Sequence, residues 1–191
     1  MPKKIADVSR KILEAALKIY HEEGFEKISM RRIAELSGLA VGTVYNRFED
    51  KEDLLAQVLA GDIEQIKSAI MGEVFGKPPE EALYAAIYTF VSRTMRESHD
   101  ILRYALDMQS QKAYIKKILA GACGQIKELV QEIIAHVFLE YGKTLAEEQS
   151  SMLADLALAM MQVAARRGTG DANERAELIF RMMIAYAKDE P

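Results

Sequence analysis

Apolar residues recur at the spacing of an α-helix almost throughout this 191-residue chain, and this periodicity limits its fold more than any other feature. No segment shows a credible alternation with the period of two that a half-buried strand requires. Half of the residues are hydrophobic and only four are proline, as expected of a folded, helix-rich protein. The sequence therefore predicts an all-α fold.

Breaks between the apolar stripes give the helix boundaries. Helices are predicted over about residues 7–23, from the capping residue Ser29 to about Leu36, and over about 41–47. Asp50 caps a long fourth helix. Beyond the break at Gly76-Lys77-Pro78-Pro79, further helices are predicted at about 80–97, 100–109, 112–141, 145–166 and 173–188.

These helices predict two domains. Residues 1–50 form a three-helix domain of the helix-turn-helix type, and the long fourth helix joins it to a larger helical bundle at 51–191. Gly121 and Gly124 interrupt one long helix of the bundle. Close packing against a neighbouring helix, a kink and room for a ligand are alternative reasons for them.

Charge is unevenly distributed along the chain. The formal net charge is -4, yet residues 1–51 carry ten Lys and Arg against eight Asp and Glu, whereas the rest carries 15 against 21. Because nucleic-acid binding depends on where positive charge lies, a net negative chain with a basic N-terminal end can still bind DNA.

Several classes of protein are disfavoured by what the sequence lacks. The single cysteine suits a reducing compartment, and no apolar run approaches the roughly 18–20 residues that span a bilayer. We therefore expect a cytoplasmic protein without membrane contact. Three scattered histidines give no metal-ligand spacing, and no phosphate-binding glycine loop or nucleophile elbow occurs. We therefore expect no enzyme, no catalytic residue, no metal and no cofactor.

The second and third predicted helices, separated by Gly38, have the layout of a helix-turn-helix, whose second helix can lie in the DNA major groove. With Val44 on the core side, 100° per residue places Phe48 beside it and puts Gly42 and Asn46 on the opposite face. A residue without a side chain lets the backbone approach DNA, and an amide can read adenine bidentately.

Further polar residues surround this face. Thr43 and Tyr45 flank it and can hydrogen-bond to phosphates, and Arg31 and Arg32 point outward from the second helix. Lys51, in the first turn of the fourth helix, is another candidate for a phosphate contact. The same residues would also fit the solvated surface of a small helical bundle, and their spacing alone leaves both interpretations open.

The run SMRRIAELSGLAVGTVYNRFEDKEDL at 29–54 resembles the DNA-binding segment of the TetR family of bacterial regulators, and the segments at 12–16 and 23–25 resemble that family's first helix and its end. The resemblance covers about residues 10–55. It implies phosphate contacts from Thr43, Tyr45 and Lys51, and positions at or near base edges for Val41, Gly42, Asn46 and Arg47. The candidate DNA-binding residues are Ser29, Arg31, Arg32, Ala40, Val41, Gly42, Thr43, Tyr45, Asn46, Arg47 and Lys51.

One candidate departs from the family pattern. Ala40 stands where the family often has serine, which removes a helix cap typically worth about 1 kcal/mol and one possible phosphate donor.

For the larger domain, the resemblance implies a ligand pocket within the bundle and a homodimer formed through the helices at about 145–166 and 173–188. The first of these helices carries an apolar stripe that includes Met152, Leu156 and Val163, with Met161 off the stripe. A helix that is apolar on two faces buries one inside the subunit and one against a partner, although a single internal core is the alternative. The candidate pocket residues, for each of which taken singly ordinary core packing is the favoured alternative, are Tyr88, Met95, His99, Leu102, Tyr104, Met108 and Tyr114.

Together these features predict a TetR-like transcriptional regulator, a repressor released from a palindromic operator by a small molecule. Its expected partners are a double-stranded DNA operator, a second copy of the chain and an unknown, partly apolar effector. A helical binding or scaffold protein without operator binding is the main alternative, and a helical enzyme that depends on His99 or Cys123 is a second one.

Overall fold

A computed structural model describes residues 2–23, 27–97, 113–166 and 170–189. These residues contain no β-strand, which confirms the all-α prediction, and none of their helices has an apolar stretch long enough to cross a membrane. The helix predicted at about 100–109 lies outside the described residues. The helices are α1 (Pro2–Glu23), α2 (Met30–Ser37), α3 (Val41–Tyr45), α4 (Lys51–Val74), α5 (Pro79–Glu97), α6 (Ala113–Glu140), α7 (Glu147–Arg166) and α8 (Ala172–Lys188).

Most predicted boundaries agree with these helices to within two residues, and α1 is the main exception. It begins at Pro2, about five residues before the predicted start. Proline suits a first helical position, where its missing N–H has no partner to lose. α3 ends at Tyr45, about two residues before its predicted end. The chain continues in a turn in which the Arg47 N–H donates to the Val44 carbonyl at 3.0 Å.

The chain divides into two compact units, Met1–Asp62 with Asp100–Ala120, and Ile63–His99 with Gly121–Pro191. α4 is a continuous helix that contributes residues to both units. The predicted division of the chain at residue 50 stays a prediction.

In the first unit, one hydrophobic core holds α1 to α4 together. Phe48, which follows α3, is 1% exposed, and Val44 within α3 is fully buried. The core fixes the two short helices, which could not form alone because isolated helices of five to eight residues are unstable in water. Its largest members are Ile12, Ile19, Ile28, Met30, Ile33, Val44, Phe48, Leu54, Leu55 and Val58.

In the second unit, α5 packs against both α7 and α8, and α7 packs against α8. α5 buries Leu83, Ile87 and Val91, and α7 buries large as well as small residues, among them Leu153, Ala157 and Met161.

The two glycines of α6 do not serve close packing in the described part of the chain. A Cβ placed at Gly121 or Gly124 meets no atom within 4 Å, so neither position is crowded by a neighbouring helix.

Candidate nucleic-acid interface

α2 is held at both ends by local hydrogen bonds. The Ser29 hydroxyl accepts the Arg32 N–H at 3.2 Å, which satisfies a donor that the helix itself cannot pair. Gly38 has φ +69°, and the Leu39 N–H then donates to the Ala34 carbonyl at 3.1 Å. This is a Schellman turn, in which a residue with a Cβ would be strained. The cap predicted at Ser29 and the turn predicted at Gly38 are both confirmed.

α3 is oriented by its two buried residues. Because Val44 and Phe48 are in the core, the opposite side of the helix faces solvent. Tyr45 is 52% exposed and Val41 41% exposed, and Gly42 and Asn46 are exposed as well. We call Val41, Gly42, Tyr45 and Asn46 the α3 surface. The spacing predicts Gly42, Tyr45 and Asn46 on this side of the helix, and the resemblance adds Val41.

Gly42 is not required by the fold. It lies within a helix, its φ is not positive, and a Cβ built there meets no atom within 4 Å. Thr43 and Arg47 beside the α3 surface are half-buried. Ala40 precedes the helix and forms no side-chain cap, because a methyl group cannot accept a hydrogen bond. Its carbonyl accepts the Thr43 N–H at 2.8 Å.

The two arginines of α2 are exposed but paired. Arg31 lies 3.6 Å from Glu35, and Arg32 donates to the Glu23 carboxylate at 2.9 Å and lies 3.6 Å from Glu35. The hydrogen bond to Glu23 raises the pKa of Arg32, which stays charged. Neighbouring carboxylates therefore offset part of the positive charge that the sequence places here, a feature that the sequence analysis missed.

The start of α4 positions Lys51. The Asp50 carboxylate accepts the Asp53 N–H at 3.0 Å, and the Asp53 carboxylate accepts the Glu49 N–H at 3.0 Å, so the predicted cap at Asp50 is confirmed. Asp53 is only 8% exposed and also accepts the Gln57 amide at 3.1 Å. This reciprocal arrangement fixes the first turn of α4, where the half-buried Lys51 lies.

The predicted pocket residues are only partly described. Tyr88 is exposed on α5 and lines a cleft between α4 and α5, whereas Met95 is half-buried and lies with its sulfur 3.6 Å from the Arg175 guanidinium. The pocket predicted from these residues stays a prediction. His99, Leu102, Tyr104 and Met108 lie outside the described residues, as does the side chain of Tyr114. No three potential metal-ligating side chains come together among the residues that the structure describes.

Sequence reasoning missed the other residues of that α4–α5 cleft. On α5 they lie at positions 84, 85, 89, 92 and 93, on one face of the helix with Tyr88, and this spacing is the signal by which they could have been grouped. The remaining ones, at 69, 72, 73 and 77, lie on or just after α4 and share no such spacing with them.

Apolar side chains are exposed along α7 and α8. On α7, Leu153, Ala157 and Met161 are buried, whereas Met152, Leu156 and Val163 are more than half exposed. The helix is therefore apolar on two faces, and the face that includes Met161 is the one buried within the subunit. α8 repeats the pattern with Leu178, Met182 and Tyr186, which are 54–62% exposed.

The N-terminal segment matches a known family. Residues 12–58 match the sequence profile of the "bacterial regulatory proteins, tetR family", a range that includes the second half of α1, all of α2 and α3, and the start of α4. Over this region the chain is similar to the TetR family. The TetR family comprises DNA-binding transcriptional regulators, and its profile includes the whole α3 surface.

Curated relatives match the same part of the chain. An HTH-type transcriptional regulator of Staphylococcus aureus strain USA300 is 42% identical over 64 residues, and counterparts in other strains of this species match equally. This alignment covers 34% of the chain and 35% of the relative, so the chain spans about a third of the curated relatives that it matches.

Solved TetR-family structures match nearly the whole chain in fold. A TetR transcription regulator from Haloarcula marismortui has a TM-score of 0.74 at 19% identity, covering 95% of this chain and 97% of that one. Thermus thermophilus FadR, a TetR-family transcriptional repressor solved in complex with lauroyl-CoA, has a TM-score of 0.70 at 18% identity, covering 92% and 93%. At these identities the likeness establishes the fold alone.

Proposed function

We propose that the chain is a homodimeric transcriptional repressor that binds a palindromic DNA operator and is released from it by a small molecule. Its main support is the α3 surface, a solvent-facing set of small and polar residues opposite the buried Val44 and Phe48, within the segment that matches the tetR profile. A buried anchor with an open opposite face is the arrangement that a recognition helix needs in the major groove.

Each residue near this surface takes a role that suits its chemistry. Tyr45, Thr43 and Lys51 contact phosphates and set the position of the helix, while Asn46 reads a base edge through its amide. Gly42 allows the backbone to approach the bases, a role compatible with the open space around its missing side chain.

Further contacts extend the interface. Val41 and Arg47 lie at or near the bases, and Arg31 and Arg32 exchange their carboxylate partners for phosphates when DNA binds. Ser29 and Ala40 border the interface at the starts of α2 and α3.

A homodimer formed through α7 and α8 accounts for their exposed apolar faces. Leu156 and Val163 on α7 and Leu178 and Met182 on α8 are each more than half exposed, and an uncovered patch of this kind marks an interaction site in soluble proteins. Two-fold pairing of the subunits would present two α3 surfaces to one duplex. A spacing of about 34–36 Å between them matches one turn of DNA and therefore a palindrome.

Effector release needs a connection between the two units, and α4 supplies one because it belongs to both. A ligand that binds the second unit more tightly in one arrangement of α4 shifts the population toward that arrangement. Acyl-CoA and resorcinol occur in structures of FadR and RolR, two proteins of similar fold, which makes a small organic effector a reasonable expectation.

Selection of duplexes from a random pool tests the proposal, with the intact chain and with a Tyr45→Ala/Asn46→Ala double variant as the matched control. We expect the intact chain to enrich palindromes with half-sites about 10 bp apart, and the double variant to enrich none. Enrichment of non-palindromic sequences only, or equal enrichment by both proteins, would overturn the assignment.

A further inference from the structure

An open groove of about 700 Å³ lies between α7 and α8 in the second unit. Its floor is formed by Ile179, which is only 4% exposed, and by the short side chain of Ala164. Longer apolar side chains of the two helices form its rims: Met160 and Val163 on α7, and Leu178 and Met182 on α8. We call this cavity the α7–α8 groove.

The charge at the groove is already engaged within the subunit. Among the described residues that line it, Arg175 alone is charged. Its guanidinium donates to the Ala164 carbonyl and lies 3.6 Å from the Met95 sulfur. An occupant of the groove is therefore recognised by its shape and by apolar contact, as at the methionine-rich, charge-poor centre of a protein interface.

The other end of the same apolar face protrudes. Met152 and Leu156 on α7 and Tyr186 on α8 are more than half exposed and do not line the groove. The groove lies near the end of α7 and the start of α8, so these three residues lie about 12–16 Å away along the helix axes. The Tyr186 ring packs against buried Phe138, with ring centroids 5.8 Å apart, and this contact orients it. The face therefore has a hollow end and a protruding end.

We propose that the α7–α8 groove receives the protruding end of a second copy of this chain, with the α7 helices of the two subunits running in opposite directions. A two-fold axis that crosses α7 between Leu156 and Met160, perpendicular to the helix, places the partner's Tyr186 over the groove floor and the partner's Met152 opposite Val163. The symmetry fills both grooves in the same way.

The alternative two-fold arrangement leaves a large void. An axis parallel to the helices sets one groove against the other and encloses about twice the volume of one groove. Stable interfaces pack as densely as protein interiors, and an apolar lining gives water few hydrogen bonds to make. The existence of a homodimer rests on the proposed function, and the present inference adds how its subunits are arranged.

Cross-linking of cysteine variants without DNA tests this arrangement. In a Cys123→Ser background, which removes the exposed native thiol, Val163→Cys and Met152→Cys are produced separately and by co-expression. A short bismaleimide should link the two variants to each other after co-expression, and neither variant to itself. Cross-linking of Val163→Cys to itself would show groove facing groove and overturn the proposal, as would the absence of a cross-link after co-expression.

The dissociation constant of the dimer, measured by sedimentation, tests the role of Tyr186. Tyr186→Ala should raise it about tenfold or more, because a few buried aromatic anchors dominate interface affinity. Leu139→Ala, the matched control, truncates an equally exposed residue of α6 and should leave it unchanged. An unchanged dissociation constant for Tyr186→Ala would overturn the proposal.

Light scattering on the same samples distinguishes the two possible failures. A dimer without the expected cross-link contradicts the arrangement alone and leaves the proposed homodimer and operator binding intact. A monomer contradicts both the arrangement and the proposed homodimer.

Discussion

The substitution Gly42→Ala adds a single methyl group and should change the stability of the fold and the affinity for DNA in opposite directions. Gly42 lies within α3, is exposed, and has open space where a Cβ would be. Alanine is more favourable than glycine in a helix by roughly 0.5–1 kcal/mol. The free energy of unfolding of the variant should therefore equal that of the unmodified chain or exceed it by up to about 1 kcal/mol. Chemical denaturation that follows the unfolding of the first unit measures this difference.

DNA binding should respond in the opposite direction. The added methyl group lies on the α3 surface, between the backbone and the base edges, so the helix must retreat and lose base contacts. Loss of one good base contact costs about 1–3 kcal/mol, which corresponds to a fall in operator affinity of about 5- to 150-fold. Fluorescence anisotropy with a labelled operator duplex, chosen by the selection experiment, measures this affinity at fixed salt.

Gly61→Ala is the matched control for this prediction. Gly61 is also exposed within a helix and also has open space around the missing Cβ, but it lies in α4, away from the α3 surface in sequence. It should gain similar stability without loss of operator affinity. The reasoning is refuted if Gly42→Ala binds the operator as tightly as the unmodified chain, or if it loses affinity only because it unfolds.

Four further substitutions probe charge, specificity and assembly. Lys51→Ala should weaken binding to all DNA sequences and reduce the slope of log affinity against log salt concentration by about one. Asn46→Ala should relax the base preference at one position of the operator, at a cost of about 1–3 kcal/mol in binding. Anisotropy titrations at several salt concentrations and with several duplex sequences measure both effects. Glu35→Gln removes the carboxylate shared by the two α2 arginines and should raise affinity for random DNA by up to about fivefold. Leu156→Glu should convert the dimer to monomers, measured by light scattering, because it places a charge in the exposed α7 face.

Matched variants distinguish these effects from general changes in charge or folding. Glu22→Gln removes a carboxylate of the first unit that pairs with Lys18 and should not reproduce the gain from Glu35→Gln. Leu139→Glu changes an equally exposed leucine on α6 and should leave the dimer unchanged. Equal loss of specificity from Lys51→Ala and Asn46→Ala would contradict the roles assigned to them.

Local signals were sufficient to predict the caps and orientation of the short N-terminal helices. Ser29, Gly38 and Asp50 act within three to five residues of themselves, so their effects can be derived without knowledge of the rest of the fold. The burial of Val44 and Phe48 follows in the same way, since one turn of helix separates them and only one side of α3 meets the core.

Features that depend on contacts between distant helices could not be predicted. Periodicity identified two apolar faces on α7 but not which one faces the core, because Leu156 and Met161 are both apolar and only packing against α5 and α8 distinguishes them. The α4–α5 cleft depends likewise on how Gly72 and Tyr84, twelve residues apart in different helices, come together. The pairing of Arg32 with Glu23 joins α2 to α1 and is equally non-local.

Hydroxyl-radical oxidation of Tyr45 tests most directly whether the α3 surface is the DNA-binding face. The Tyr45 side chain is 52% exposed in the free protein, and Tyr88, 38% exposed on α5, provides an internal reference in the same sample. We predict that a saturating operator duplex slows oxidation of Tyr45 several-fold and leaves the rate at Tyr88 unchanged. An unchanged rate at Tyr45 while the duplex is bound would show that DNA binds elsewhere on the molecule.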